Sequence, residues 1–413
     1  MKFKVNYNKE IVNITIKDDT KIISPKDVLV KNQESIITKS LNNPINSKSL
    51  NDFIYNKDKI LIIVNDGTRP TPTAKVLETI FPIIKKKQIT IMIATGVHRI
   101  ANENELIHIL GNTYDNLKDK VISHEARKAE DLQYIGTSRN GTPLEINKEV
   151  LNNEALIVIG SVEPHYFAGY TGGRKAIMPG VASFKSIEAN HKHALDYRAK
   201  ALNLKDNPVH LDMVDVLSLL GDKPIYSIMS VMDRNHNIYE ITSGNIIDSF
   251  DQAIKYANEV FTQEINEKYD IVISVATSPM DIDLYQSQKA IDNGKLALKD
   301  NGILILVSAC LEGVGEKAFY DLLKSCSTPE EVLENISNNY KLGYHKAGKM
   351  AEVMTWANIY VVSELENKLW EDIFIQPFGS IQDAINCATK IKGKNATFCL
   401  LTDGCITVPL LTK

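Results

Sequence analysis

The run Ile60-Leu61-Ile62-Ile63-Val64, followed by Asn65-Asp66-Gly67-Thr68-Arg69-Pro70-Thr71-Pro72-Thr73 and the helical pattern Ala74–Lys87, decides the fold. Five successive apolar residues without polar alternation fit a strand buried on both faces, as in a parallel sheet. Similar runs recur at Ile89–Ala94, Ala155–Gly160, Ile271–Val275, Ile303–Val307 and Ala396–Leu401, with helical patterns such as Val209–Leu220 between them. This alternation predicts an α/β protein with mainly parallel sheets flanked by helices. Ligands of such sheets sit beyond the carboxyl ends of the strands, so the loops there are where chemistry is expected.

The chain has 413 residues, 44% hydrophobic and 24% charged, enough for two to three domains at roughly 150 residues each. Its net charge of −4 gives no basic footprint for nucleic acid. No run approaches the roughly 18 apolar residues of a membrane span, and the N-terminus lacks the apolar centre of a signal peptide. Five cysteines without a C-x-x-C pair fit a reducing, cytoplasmic setting.

Eight of the nine histidines lie between His98 and His236, whereas all five cysteines follow residue 300. A polar, helix-like stretch, Ala253–Lys268, is the expected linker. Residues 1–258 are expected to form the larger α/β domain carrying the principal site. Residues 259–413 form a smaller one, whose last residues could return to the first. The active site is expected in the cleft between the two.

Four segments carry the candidate chemistry. In the first, Asp66, Gly67, Thr68 and Arg69 lie where a strand gives way to a helix, a place that favours an anion, with Arg69 offering a planar fork. An N-cap beside a surface arginine accounts equally well for that spacing. In the second, His98 of Ala94-Thr95-Gly96-Val97-His98-Arg99 stands at a strand's carboxyl end, suited to acid–base work or to a purely structural place. The third and richest is Glu163-Pro164-His165-Tyr166-Phe167-Ala168-Gly169-Tyr170-Thr171-Gly172-Gly173-Arg174-Lys175. Its glycines allow close backbone approach to a ligand, with Arg174 and Lys175 adding charge. The fourth is Asn190-His191-Lys192-His193, whose imidazoles share a direction on a strand but not on a helix. A zinc pair there lacks the usual third-ligand spacing. Further on, Gln286 and Lys289 share a helix face and could hold a carboxylate or merely be solvated. Gly313-Val314-Gly315-Glu316-Lys317-Ala318 matches G-x-G-x-x-A, but helix-like Pro329–Asn339 replaces the strand a dinucleotide fold requires.

Taken together, the segments at Asp66–Pro72, Ala94–Arg99, Glu163–Gly180, Asn190-His191, Tyr285-Gln286-x-x-Lys289 and Gly343-Tyr344-His345-Lys346-Ala347 resemble the nickel-dependent lactate racemase family in order and spacing. The resemblance covers essentially the whole chain. It implies a covalently held nickel-pincer nucleotide, a pyridinium mononucleotide whose thioamide and thiocarboxylate sulfurs and ring carbon hold nickel. Lys175 then matches the attachment lysine and His191 the protein's nickel ligand. His98 and His165 match the acid–base pair. Asp66, Gly67, Thr68, Arg69, Gly172, Gly173 and Arg174 match the cofactor segments, with Arg69 also catalytic, and Tyr285, Gln286 and Lys289 match substrate contacts. The implied activity inverts C2 of a 2-hydroxy acid by reversible hydride transfer, with cofactor-biosynthesis enzymes as partners. Oxidation to the planar keto acid avoids the carbanion that the neighbouring carboxylate would resist. Two other readings stand beside it: a non-catalytic cofactor-storage protein, and a zinc hydrolase or lyase using His165, His191 and His193.

Overall fold

The computed structural model describes residues 1–29 and 32–412. The chain divides into two compact units, Asp27–Val260 and a second made of Met1–Lys26 with Phe261–Lys413. The division differs from the expected 1–258 and 259–413 at the start of the chain. Strands β1 (Lys2–Tyr7) and β2 (Glu10–Thr15) form an antiparallel hairpin, and β3 (Lys21–Ile23) follows. Val5, Ile14 and Ile16 belong to the same core as Ile271, Ile305 and Phe398, so burial of these apolar side chains holds the first residues in the second unit.

The larger unit contains β4 (Lys59–Asn65), β5 (Gln88–Ala94), β6 (Val121–Ser123), a β7–β8 hairpin (Leu132–Thr137, Pro143–Asn147) and β9 (Ala155–Ser161). A short hairpin, β10 (Pro164–His165) with β11 (Gly169–Tyr170), is followed by β12 (Ile225–Met232) and β13 (Ile238–Asn245). Its sheet runs β13-β12-β9-β4-β5-β6, parallel except for the edge strand β13. From β4 the chain proceeds to β5 and β6 on one side, then returns to β9 and β12 on the other. The order therefore reverses between β4 and β9, where open α/β sheets leave a crevice.

Helices cover the sheet. Helix α1 (Thr73–Ile84) buries Val76, Leu77, Ile80 and Ile84 along one face and stops before Lys85-Lys86-Lys87. Helices α2 (Phe184–Lys192) and α3 (Pro208–Leu219) start at Ser183 and Asn207, whose side chains accept from backbone N–H groups of the first turn. Every residue of β9 is buried, so Ile157→Ala should destabilise this unit by about 2–5 kcal/mol, read as a lower urea midpoint.

In the second unit, β14 (Thr262–Ile265) precedes β15 (Tyr269–Val275), β16 (Leu298–Val307), β17 (Asn358–Val362), β18 (Gln376–Phe378), β19 (Phe398–Leu401) and β20 (Val408–Leu411). Its main sheet is β18-β17-β16-β15-β19-β3, all parallel, and reverses between β15 and β19. The end of the chain stays here, since β20 pairs with β14. The expected linker Ala253–Lys268 is instead the end of the helix Ile246–Phe261 followed by β14. Helices α4 (Leu284–Gly294) and α5 (Tyr344–Met354) also belong to this unit. Among the described residues, no helix is long and apolar enough to cross a membrane.

Candidate active site

In the larger unit, the loops after β4, β5 and β9 meet at the crevice. Thr71 donates its hydroxyl to Ser161 at 3.0 Å and accepts from Asn65 at 2.7 Å, tying the β4 loop to the end of β9. Gly96 donates to the Gly180 carbonyl at 2.9 Å, tying in the β5 loop. Asp66 accepts from the Thr68 amide (3.1 Å) and hydroxyl (2.6 Å), as an N-cap-like turn predicts. Its other oxygen lies 2.7 Å from Nδ1 of His98, whose side chain is half-exposed. Burial opposes ionisation of Asp66, but hydrogen bonds from His98 and Thr68, with the charges of His98 and Arg69, outweigh it and hold the carboxyl below its ordinary range. A carboxylate at Nδ1 keeps the proton there and leaves Nε2 as the base. The stabilisation from Asp66 is complete above about pH 4 and is lost as pH falls towards its depressed folded-state value. Asp66→Asn should flatten that acid limb in urea midpoints measured against pH.

The loop after β9 is built as a clamp. Gly172 has φ +79°, and a Cβ there would lie 2.6 Å from Val162 and 2.8 Å from the Ser161 carbonyl. Only glycine fits so tight an approach. Arg174 corrects an expectation. Its guanidinium does not wait for an anion but is turned inward, donating to the carbonyls of Ala168, Thr171 and Gly172 and to Nδ1 of His210 at 2.9 Å. It also lies over the Phe250 ring at 4.4 Å. A buried cation needs such acceptors, and burial lowers its pKa to about 9. Arg174 thus braces the turn that carries its neighbour. Lys175 is pushed well below the ordinary lysine range by burial, then by the charges of Arg69 and Arg174, which favours the nucleophilic, uncharged amine.

Three of the expected residues gather around Phe167, itself buried. Its ring centroid lies 4.6 Å from that of His165, 5.0 Å from that of His191 and 5.8 Å from the Lys175 side-chain nitrogen. His165 turns Nδ1 towards the amides of Ala168 (3.3 Å) and Phe167 (3.5 Å), so in this placement its Nε2 carries the proton. His191 lies on α2, and burial, then the Lys175 charge, lowers its pKa to about 3, leaving a neutral imidazole. Because the segment is helical, His193 points elsewhere, its Nε2 lying 3.7 Å from Asp212. Among the described residues, no three His, Cys, Asp or Glu side chains form a metal-holding group, so the zinc set of His165, His191 and His193 does not assemble.

In the second unit, the loop after β15 and helix α4 stand at the reversal of the sheet. Thr277 donates to Asp403 of the β19 loop at 2.7 Å across it. Asp283 caps α4 by accepting from the Gln286 amide at 2.6 Å. Lys289, one turn on, places its ammonium 3.2 Å from the Met280 sulfur. Tyr285 packs edge-on against Phe319, and burial, then nearby Glu316 and Asp283, push its phenol up to about 12. The glycines of the G-x-G-x-x-A run serve this helix: Gly313 accepts from the Leu284 amide, and a Cβ on Gly315 would lie 2.6 Å from that of Tyr285.

Residues 7–202 match the lactate racemase N-terminal domain and residues 264–408 the lactate racemase C-terminal domain. Lactate racemase of Thermoanaerobacterium thermosaccharolyticum is 30% identical over 383 residues, 90% of this chain and 89% of that protein. The chain belongs to the lactate racemase family. It is therefore an isomerase, a racemase by type. A second lactate racemase, from Lactiplantibacillus plantarum, is 28% identical over 96% of this chain and 97% of its own length. The apoprotein structure of the Thermoanaerobacterium lactate racemase superposes with a TM-score of 0.92, 28% identity and coverage of 99% of this chain and 100% of that one. A Thermotoga maritima protein shares the fold, with a TM-score of 0.67 at 14% identity.

Within this lactate racemase family chain, Phe167 and Asp212 in the larger unit and Lys346 in the second support the candidate residues of their own units without having been singled out in the sequence. Lys346 donates to the Tyr285 carbonyl at 2.6 Å and lies 3.3 Å from its ring centroid. Its place in Gly343-Tyr344-His345-Lys346-Ala347 is the signal that could have found it. Phe167 lies in the Glu163–Lys175 run, which is the signal that could have found it, whereas Asp212 gives none, since a helical aspartate is ordinary in any sequence.

Proposed function

We propose that this chain inverts C2 of a 2-hydroxy acid, lactate or a close relative, with a nickel-pincer nucleotide held on Lys175 and His191. The observation that carries this reading is the convergence of Lys175, His165 and His191 on the Phe167 ring. The chain's residues fit such a group. Lys175 favours the amine form suited to an acyl attachment. His191 offers one neutral imidazole where the described residues assemble no complete ligand set, so a metal there takes its other ligands from a bound molecule. Imidazole with soft sulfur donors in a square plane suits Ni(II).

Held by Lys175 and His191, such a group would supply a reversible hydride acceptor for C2 of the substrate. The protein's residues move the proton and hold the substrate. His98, with Nδ1–H held by Asp66, accepts the hydroxyl proton at Nε2. His165 serves the other enantiomer. To accept a proton at Nε2 its ring must leave the two amides, which at 3.3 and 3.5 Å hold it only loosely. Arg69 stands beside the Asp66 turn as the fixed positive charge; in the second unit, Gln286 and Lys289 are the proposed partners for a carboxylate. Gly67, Thr68, Gly172 and Gly173 shape the backbone that receives the nucleotide, and Tyr285 of the second unit is a further proposed substrate contact.

Protein matured with the cofactor-biosynthesis enzymes should carry an adduct on Lys175 by intact mass and near-stoichiometric nickel. It should interconvert the enantiomers of at least one acid in a panel of 2-hydroxy acids. Racemisation by protein lacking both adduct and nickel would overturn the reading.

A further inference from the structure

Asp212 of α3 is completely buried, yet it contacts two separate segments. It accepts from Ser138 at 2.7 Å, from Asn140 at 2.8 Å and from Thr142, all in the β7–β8 turn, and from Nδ2 of Asn190 on α2 at 3.2 Å. His193 belongs to the same network, with Thr142 at 3.4 Å and Asp212 at 3.7 Å from its Nε2. Asn190 is equally buried, and its amide nitrogen also donates to the Val209 carbonyl at 3.1 Å.

The Val209 carbonyl can only accept, so the amide nitrogen must face it and the orientation of the Asn190 amide is determined. Its oxygen must then face the other way, and it lies 3.3 Å from Nδ1 of the adjacent His191. The Ile187 carbonyl, one helical turn back, is a second acceptor for the His191 ring. The acceptor at Nδ1 places the imidazole proton there, so Nε2 is the unprotonated nitrogen. Orientation of a metal-binding histidine by a hydrogen-bonded partner on its other nitrogen is a general feature of metal sites.

We infer that Asp212 is a positioning residue for His191: through Asn190 it fixes the Nδ1–H tautomer and presents an unprotonated Nε2 as the ligand atom. What that nitrogen meets rests on the function proposed above; the tautomer itself does not. His193, next-but-one in sequence, is a member of the positioning network and not a ligand.

The test has two parts. Full-length cofactor-free protein labelled with 15N-histidine, with His191→Gln to assign the signal, reports the tautomer directly. The wild type should show Nδ1 protonated and Nε2 unprotonated, whereas Asn190→Leu and Asp212→Asn should shift His191 towards a mixture, with Asp212→Glu closer to wild type. In protein matured with the cofactor pathway, the same two variants should lose nickel to a chelator about 10–100-fold more readily while keeping the Lys175 mass adduct. Asn190→Leu, a change of similar volume, serves if Asp212→Asn fails to fold. An Nε2–H tautomer in the wild type, or unchanged tautomer in a folded Asn190→Leu protein, overturns the inference. Absence of adduct and nickel from active wild-type protein overturns the proposed function instead and leaves the tautomer result standing.

Discussion

Replacing either His98 or His165 by alanine should lower racemisation about 10²–10⁴-fold in both directions, the usual contribution of a positioned acid or base. Each inversion removes a hydroxyl proton on one side and restores it on the other, so loss of one histidine interrupts both directions. The double variant should be little worse than the worse single one, because the pair acts as a unit. The two residues should differ in how they respond to their surroundings. His98 is held as a base by Asp66 at 2.7 Å, so Asp66→Asn should reduce kcat as well, by releasing the tautomer, while leaving the Lys175 adduct in place. His165 turns its Nδ1 to the backbone amides of Phe167 and Ala168, which a side-chain substitution does not remove. Rates from each pure enantiomer, with intact mass on the same samples, separate lost chemistry from lost cofactor. A His98→Ala protein with a normal adduct and near-normal rate would exclude the two-histidine scheme.

Lys175→Met should abolish both adduct and turnover while leaving the cofactor-free protein as stable as the wild type or more so. Lys175 is partly buried, its charge opposed by burial and by the charges of Arg69 and Arg174. Its folded-state pKa is depressed, so the unfolded chain binds the extra proton and stability from this position rises with pH. Below the ordinary lysine value of about 10.4 the wild type carries that penalty, and above it the penalty disappears. Lys175→Met removes it, so the variant's advantage in melting temperature should be present at neutral pH and should fade as pH approaches about 10. Lost activity with unchanged or raised stability is the signature of a residue kept for chemistry. A melting temperature that falls at neutral pH would show that Lys175 supports the fold.

The sheets are legible where their strands are buried on both faces. Ile60–Val64, Ile89–Ala94 and Ala155–Gly160 lie inside β4, β5 and β9, and Ile271–Val275, Ile303–Val307 and Ala396–Leu401 fall on β15, β16 and β19. Strand β3 is not legible: it has three residues, only Ile23 is buried, and its partner Cys399–Leu401 lies near the other end of the chain. No local pattern encodes such a pairing. The same holds for the β1–β2 hairpin, whose place in the second unit follows from what Val5, Ile14 and Ile16 pack against.

At the site, residue types and the loops that bear them are determined locally, because a parallel strand delivers the residues that follow it to one edge of the sheet. The strand pattern alone therefore makes Asp66, His98, His165 and Lys175 neighbours of a common edge. Which way each side chain faces is decided only in three dimensions. Arg174 has the sequence setting of an anion contact beside glycines, but a buried guanidinium must find acceptors, and the carbonyls of Ala168, Thr171 and Gly172 supply them. His191 and His193 are equivalent by spacing until the helix turns one towards Phe167 and the other towards Asp212. Spacing along a chain constrains which groups are near one another; burial and the need to satisfy every polar atom decide which of them remains available for chemistry.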